Sequence, residues 1–313
     1  LYSTHASDEW GRLVTDPFHR LEFDETLRLL RKHLPAKGLV LDAGGGPGRY
    51  TIELAKKGYE VVLLDLVSEN LKLAKRQITR CGLGRKVKGL IEGSVTDLSR
   101  FADNSFDAVL CLGGPLSHVH PKSARQQAVA ELIRVAKRNA PVFISVMSKY
   151  GVMLATPGGW PRELLYKRHY DNLALHGDDY KFRGNAYCHF FTSTELKALV
   201  STRNVKILEL VGLEGLNVDV KTTNRFAKKF PQAVAQLDGP ASQAVFRPVR
   251  RRRQRPHAHR REEAAFVAAK LFCGSSSVPL LERSVAARAA FNGQVSGRLR
   301  IVRMQPAGPR RPA

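Results

Sequence analysis

The residues of this sequence best suited to chemistry are a cluster of glycines at the end of one apolar run and isolated acids at the ends of later ones. Val40-Leu41-Asp42-Ala43-Gly44-Gly45-Gly46-Pro47-Gly48-Arg49-Tyr50 reads as a buried strand that turns directly into a helix. Glycines in such a turn remove side chains where a ligand must approach the backbone, and the helix start behind them offers N–H groups to its polar atoms. Asp65 closes the next apolar run, where one carboxylate can accept both hydroxyls of a ribose. Asp97 follows the third run, in Gly93-Ser94-Val95-Thr96-Asp97-Leu98, and the fourth run ends at Leu112 and Gly113. His118, a few residues on, has the chemistry of a proton acceptor, although packing is the more common role for a histidine so placed.

The elements that must hold these residues follow from hydrophobic periodicity. Residues 1–35 form a helical lead-in, with Leu21, Leu27, Leu30 and Leu34 at near-helical spacing and Pro35 as the stop. Strands are expected at Leu39 to Asp42, Glu60 to Asp65, Val87 to Glu92, Phe106 to Leu112 and Val142 to Met147. Between them lie helices at Tyr50 to Lys57, from Ser68 as cap to Cys81, and at Ser123 to Lys137. Strict alternation of strand and helix implies right-handed crossovers and a parallel sheet, hence a doubly wound α/β fold over residues 36–150. Residues 151–191 break the pattern with aromatic, Gly and Pro-rich text, too long for a simple connection and therefore a lid or substrate-binding insertion. Over residues 192–233 order returns: Thr192 and Glu195 make a capping box, and Val205 to Leu213 is a sixth strand.

In this arrangement the sequence resembles the class I S-adenosylmethionine-dependent methyltransferases, strongly over residues 36–147 and loosely over 1–233. The motif is an acid two residues before the first glycine, then G-x-G-x-G, then acids closing strands two and three. The resemblance implies a Rossmann-like sheet with S-adenosyl-L-methionine as cofactor. It implies Asp42, Gly44 and Gly46 at the methionine moiety, Asp65 on the ribose, Asp97 with Val95 or Thr96 at the adenine, and Leu112 and Gly113 on the sulfonium side. Tyr2, Trp10 and His19 of the lead-in would fold over the cofactor or pack in the core. A dinucleotide dehydrogenase also uses a Gly-rich first turn, but its G-x-G-x-x-G pattern fails because Arg49 stands at the third glycine. Methyl transfer from a sulfonium needs alignment more than acid–base groups, so no catalytic triad and no metal ligand set is expected. Gly113-Gly114-Pro115-Leu116 is not the Asn/Asp-Pro-Pro-aromatic tetrad of enzymes that methylate base amines, which disfavours that reaction. A small-molecule acceptor is expected, with an RNA methyltransferase or a non-catalytic relative of the fold as alternatives.

Composition bounds these readings. With 43% hydrophobic and 25% charged residues the chain is that of an ordinary globular protein. No apolar run is long enough to span a bilayer and no secretion signal is visible, so a cytoplasmic location without a membrane partner is expected. Cys81, Cys111, Cys188 and Cys273 lack metal-ligand spacing and are expected to be buried thiols. The net charge of +23 invites a nucleic-acid reading, yet residues 234–313 alone supply 12 of those excess charges. This tail, rich in Arg, Ala and Pro, offers no good seventh strand, so the antiparallel strand that closes sheets of this family is expected to be missing. A basic arm for nucleic acid is one reading of it. A one-base-shifted read of GC-rich DNA, largely disordered, explains the text better, since codons can be chosen for 234–263 that read one base forward into a strand-like ending.

Overall fold

The computed structural model describes residues 6–180, 187–201, 205–213, 220–233 and 298–306. The lead-in is two helices, α1 (Ala6–Arg12) and α2 (Pro17–His33). They separate at Asp16, whose carboxylate accepts from the His19 N–H at 3.1 Å while Pro17 occupies the first turn of α2. Then come β1 (Leu39–Ala43), α3 (Arg49–Lys56), β2 (Glu60–Asp65), α4 (Ser68–Arg80), β3 (Val87–Glu92), β4 (Ala108–Cys111), α5 (Lys122–Val135) and β5 (Val142–Met147). The alternation read from the sequence is present, with ends moved by one or two residues. Ser68 differs: Val67 holds the capping position, and Ser68 is the first helical residue.

Five parallel strands in the order β3–β2–β1–β4–β5 make the body of the sheet. Successive residues of β1 serve opposite layers. Leu41 packs with Leu64, Val109 and Ile144 and with Leu132 of α5, whereas Val40 packs with Val61, Leu110 and Phe143 and with Leu29 and Leu30 of α2. Because both faces are covered, these strands are apolar throughout, and a polar residue within one calls for a reason. Asp42 and Ser145 are two such residues, both buried.

After β5 the insertion folds into α6 (Lys149–Gly159), α7 (Lys167–His176) and a small hairpin of β6 (Asp178–Asp179) and β7 (Cys188–His189). Helix α8 (Ser193–Ser201) follows, opened by the expected capping box: the Glu195 N–H donates to Thr192 Oγ1 at 3.2 Å and the Thr192 N–H to Glu195 Oε2 at 3.5 Å. The sheet then gains β8 (Val205–Gly212), with α9 (Val220–Lys229) beyond it.

The expectation that the last antiparallel strand is missing is overturned. Strand β9 (Arg298–Pro306) lies antiparallel between β5 and β8, with Ile144 opposite Val302 on one side and Leu210 opposite Val302 on the other. A closing hairpin would place this strand directly after β8. The strand instead lies far along the chain, with arginines at three of its nine positions. The disorder and shifted-frame readings of 234–313 otherwise fall on residues 234–297 and 307–313, outside the described ones. Cys111 and Cys188 are buried as expected, Cys81 is exposed because it follows α4 on its solvent side, and Cys273 is outside the described residues.

Candidate active site

Strand β1 carries Asp42 into the interior with 0% exposure. Its Oδ2 accepts from Thr51 Oγ1 at 2.7 Å, in the first turn of α3, and its Oδ1 is buried without a partner. Burial pushes this carboxyl up to about 6, against the pull of the Thr51 hydroxyl and with help from the nearby charge of Asp65. The turn that follows divides its glycines between two tasks. A Cβ on Gly44 would lie 2.6 Å from the Pro115 ring, and one on Gly45 would lie 2.5 Å from the Asp42 carboxyl carbon. Those two glycines admit neighbours from within the fold. At Gly46 an added Cβ meets nothing nearer than Glu9 Cγ at 3.9 Å and Asn70 Nδ2 at 4.0 Å, so here the backbone is open to a ligand. Its φ of +58° also favours glycine.

Asp65, at the end of β2, is tied to that open position. Its Oδ2 accepts from the Gly46 N–H at 2.8 Å, while Oδ1 accepts from the Val67 N–H at 3.0 Å and Asn70 Nδ2 at 3.1 Å. Burial raises its pKa in spite of these three donors. Asn70 Oδ1 is buried and unpartnered. Two orphaned acceptors and a carboxylate therefore flank one open stretch of backbone. Such a set fits a ligand that brings donors and positive charge, as ribose hydroxyls, an ammonium and a sulfonium do.

The other expected site residues divide. Val95 is buried, with Cγ1 3.6 Å from where a Gly44 Cβ would stand, and so lies against the glycine turn. Thr96 shares a 2.7 Å hydroxyl contact with Ser94. Asp97 is exposed and its carboxylate accepts from the Ser99 N–H at 3.0 Å; hydrogen bonding from the Ser99 side chain and then its backbone holds the pKa below the usual range. Leu112 is buried, and the Gly113 N–H donates to Ser145 Oγ at 2.8 Å. His118, in the short 3-10 turn Pro115–His118, has its Nδ1 2.9 Å from the Tyr187 carbonyl oxygen. Of the lead-in aromatics, Tyr2 is outside the described residues and His19 is buried beside Asp16 and Phe18. Trp10 lies under the Arg49 guanidinium, 3.7 Å from its carbon, and its carbonyl accepts from Arg49 Nη2. That stacking ties α1 to the start of α3 and brings Glu9 over Gly46.

Thr51, Asn70 and Ser145 were missed by the sequence reading. Ser145 left a signal, as the lone polar residue in Val142-Phe143-Ile144-Ser145-Val146-Met147, whereas Thr51 and Asn70 look like ordinary helix polar residues. Also missed was the chain of bonds that fastens the insertion to the core. Arg125 Nη1 donates to Tyr187 Oη at 2.8 Å, Tyr187 Oη donates to Asp178 Oδ1 at 2.7 Å, and His189 bridges Asp178 and Glu195 at 2.7 and 2.8 Å. These residues are scattered from 125 to 195, and only the fold brings them together.

Residues 40–139 match the family described as a methyltransferase domain. The chain is 30% identical over 192 residues to a glycine/sarcosine N-methyltransferase of Parasynechococcus marenigrum, covering 60% of this chain and 58% of the relative. It is 34% identical over 133 residues to a demethylmenaquinone methyltransferase of Renibacterium salmoninarum, covering 41% and 51%. The chain thus spans little more than half the length of these curated relatives. Among solved structures the fold is similar to that of the cyclase SpnF, at 15% identity and a TM-score of 0.50, covering 92% of this chain and 81% of that one. The domain match runs from β1 through α5 and so encloses the glycine turn, Asp65 and His118. On that ground residues 40–139 are a methyltransferase domain of the class I S-adenosylmethionine-dependent kind.

Proposed function

We propose that this protein methylates a small-molecule acceptor and takes the acceptor's proton on His118. The cofactor, when bound, supplies an already activated methyl group. The residues of the chain then have three tasks: to hold the cofactor, to exclude water and to move one proton. Asp65 and Asn70 take the ribose hydroxyls, and the free oxygen of Asp42 faces the cationic methionine end. Val95 and Thr96 border the adenine, because the Asp97 carboxylate is engaged in capping its own turn. Leu66, directly after Asp65 and 68% exposed, adds an apolar face for the base. Leu112 and Gly113 line the sulfonium side. The insertion, fastened through Tyr187 and His189, covers the acceptor.

The contact between His118 and the Tyr187 carbonyl carries the proton-transfer part of this reading. A carbonyl oxygen only accepts, so in the neutral ring Nδ1 of His118 holds the proton and Nε2 carries the lone pair. That tautomer is what removal of a proton from a hydroxyl or amine requires. The relatives named for glycine, sarcosine and demethylmenaquinone support a small acceptor. The net charge of +23 favours RNA as the second reading, and RNA binding with a steep salt dependence would support it.

Side-chain nitrogen NMR on the full chain at pH 8 tests the assignment without an acceptor. The expected spectrum shows His118 protonated at Nδ1 with a lone-pair shift at Nε2. A proton on Nε2 would remove His118 as the base. Once an acceptor is found, His118→Ala should lower turnover by about 10²–10⁴-fold while S-adenosylhomocysteine affinity stays unchanged.

A further inference from the structure

Ten large apolar side chains are exposed among the described residues, and seven of them fall between Tyr150 and Tyr180. The densest group is Leu164 and Leu165 at the end of the 3-10 turn Pro161–Leu165 and Tyr166 directly before α7, with Leu175 near the far end of α7. Leu165 is 81% exposed and Leu175 71%. Isolated exposed leucines need no explanation, but a concentration of them in one short segment marks a contact surface. The charges beside them indicate the kind of contact. Arg162, Lys167 and Arg168 are all exposed. Of the four acids between Tyr150 and Tyr180, Glu163 faces His169 at 3.5 Å, Asp171 pairs with Lys167, Asp178 accepts from Tyr187 and contacts His189, and Asp179 lies 3.9 Å from His169. Arg168 stands seven residues before Leu175, and that spacing sets the two on one face of α7.

We infer that this part of the insertion docks on an anionic phospholipid surface, with Leu164, Leu165, Tyr166 and Leu175 entering the headgroup boundary and Arg162 and Arg168 on the lipid phosphates. The cores of protein–protein interfaces are depleted of charged residues, which are left to the rim. Leucine and tyrosine interleaved with exposed basic residues instead suit the interface of a bilayer, where apolar tips are buried to a few ångströms and cations meet negative lipid. The expectation of no membrane partner rested on the lack of a spanning run, and no helix of the described residues is long and apolar enough to cross a membrane. An element that lies on a membrane needs no such run. The inference stands apart from the methyl-transfer reading.

Sedimentation of the full chain with vesicles of phosphatidylcholine, with and without phosphatidylglycerol, tests it at about 0.15 M salt, where long-range attraction between exposed charges is largely screened. The parent is expected to bind the phosphatidylglycerol vesicles, and the double variant Leu165→Ser, Leu175→Ser to bind them at least about tenfold more weakly. Both side chains are exposed, so the variant should melt with the parent, and a matching melting temperature is the control for folding. Equal binding of parent and variant would assign the attraction to the basic tail and overturn the inference. So would failure of the parent to bind. Self-association of the parent that the two substitutions abolish, without vesicle binding, would identify a second copy as the occupant and overturn it as well.

Discussion

Asp42→Asn is expected to stabilise the free protein by about 1–3 kcal/mol at pH 8 and to leave its stability nearly unchanged at pH 4. In the fold this carboxyl titrates at about 6 against an ordinary 3.8, chiefly because it is buried. Well below pH 3.8 it is protonated in both folded and unfolded chains, and at pH 4 the difference between the two states is still small. As the pH rises from 3.8 to 6 the unfolded chain ionises while the fold still holds the proton, so stability falls until the folded carboxyl has ionised as well. Two pKa units at about 1.4 kcal/mol each set the upper end of the range. The lower end allows for an Asn amide nitrogen that inherits the unpartnered Oδ1 position. Asp65 is also raised by burial, so the variant should flatten only part of the pH dependence. Urea unfolding at the two pH values provides the comparison. If the variant proves less stable at pH 8, the Asp42 charge is compensated within the fold. A buried charge that costs stability in the free protein is what a cation-binding role requires, and S-adenosylmethionine should bind the variant more weakly.

Glu22→Ala is expected to cost about 3–5 kcal/mol, which for a domain of ordinary stability is a large share of the total. Glu22 is 2% exposed, and its Oε2 accepts from Arg12 Nη1 at 2.8 Å. Arg12 is itself buried; desolvation works against its charge, yet Glu22 and then Glu9 raise its pKa, so it stays charged. Removing Glu22 leaves the guanidinium in the interior with the half-exposed Glu9, at 3.1 Å, as its carboxylate partner among the described residues. The penalty arises from an uncompensated charge rather than from the value of the pair. Replacing both partners by apolar residues, as in Arg12→Met with Glu22→Leu, should therefore recover most of the loss. If the double variant is as unstable as the single one, the pair is needed for more than its charge balance. The same pair fixes α1 against α2, and through α1 it fixes Glu9 and Trp10 beside the glycine turn.

The parallel half of the sheet was legible because its strands are buried on both faces, so Val61 to Leu64 and Val142 to Ile144 read as unbroken apolar runs. The capping box at Thr192 was legible because two residue types at fixed spacing have one geometric meaning. Strand β9 was not, since arginine at Arg298, Arg300 and Arg303 masks a run that only its neighbours β5 and β8 define. The two strand-end acids show the same limit at the site. Asp65 and Asp97 look alike in the sequence, yet Asp65 is 7% exposed and bonded to the glycine turn while Asp97 lies in solvent capping Ser99. What separates them is the depth of the strand end each follows: β2 is interior, whereas β3 is the edge of the sheet. The helices of the insertion were hidden by Pro157 and by a Gly-rich text that carries no clear period.

Calorimetric titration of S-adenosylhomocysteine into the full chain and into Asp65→Ala is the most direct test that the glycine turn and the β2 carboxylate form a cofactor site. The predicted result is saturable binding at one site in the parent, weakened at least about tenfold in the variant, the loss expected when a buried carboxylate no longer accepts from the ribose. Absence of binding to the folded parent, or equal affinity in the two proteins, would contradict it.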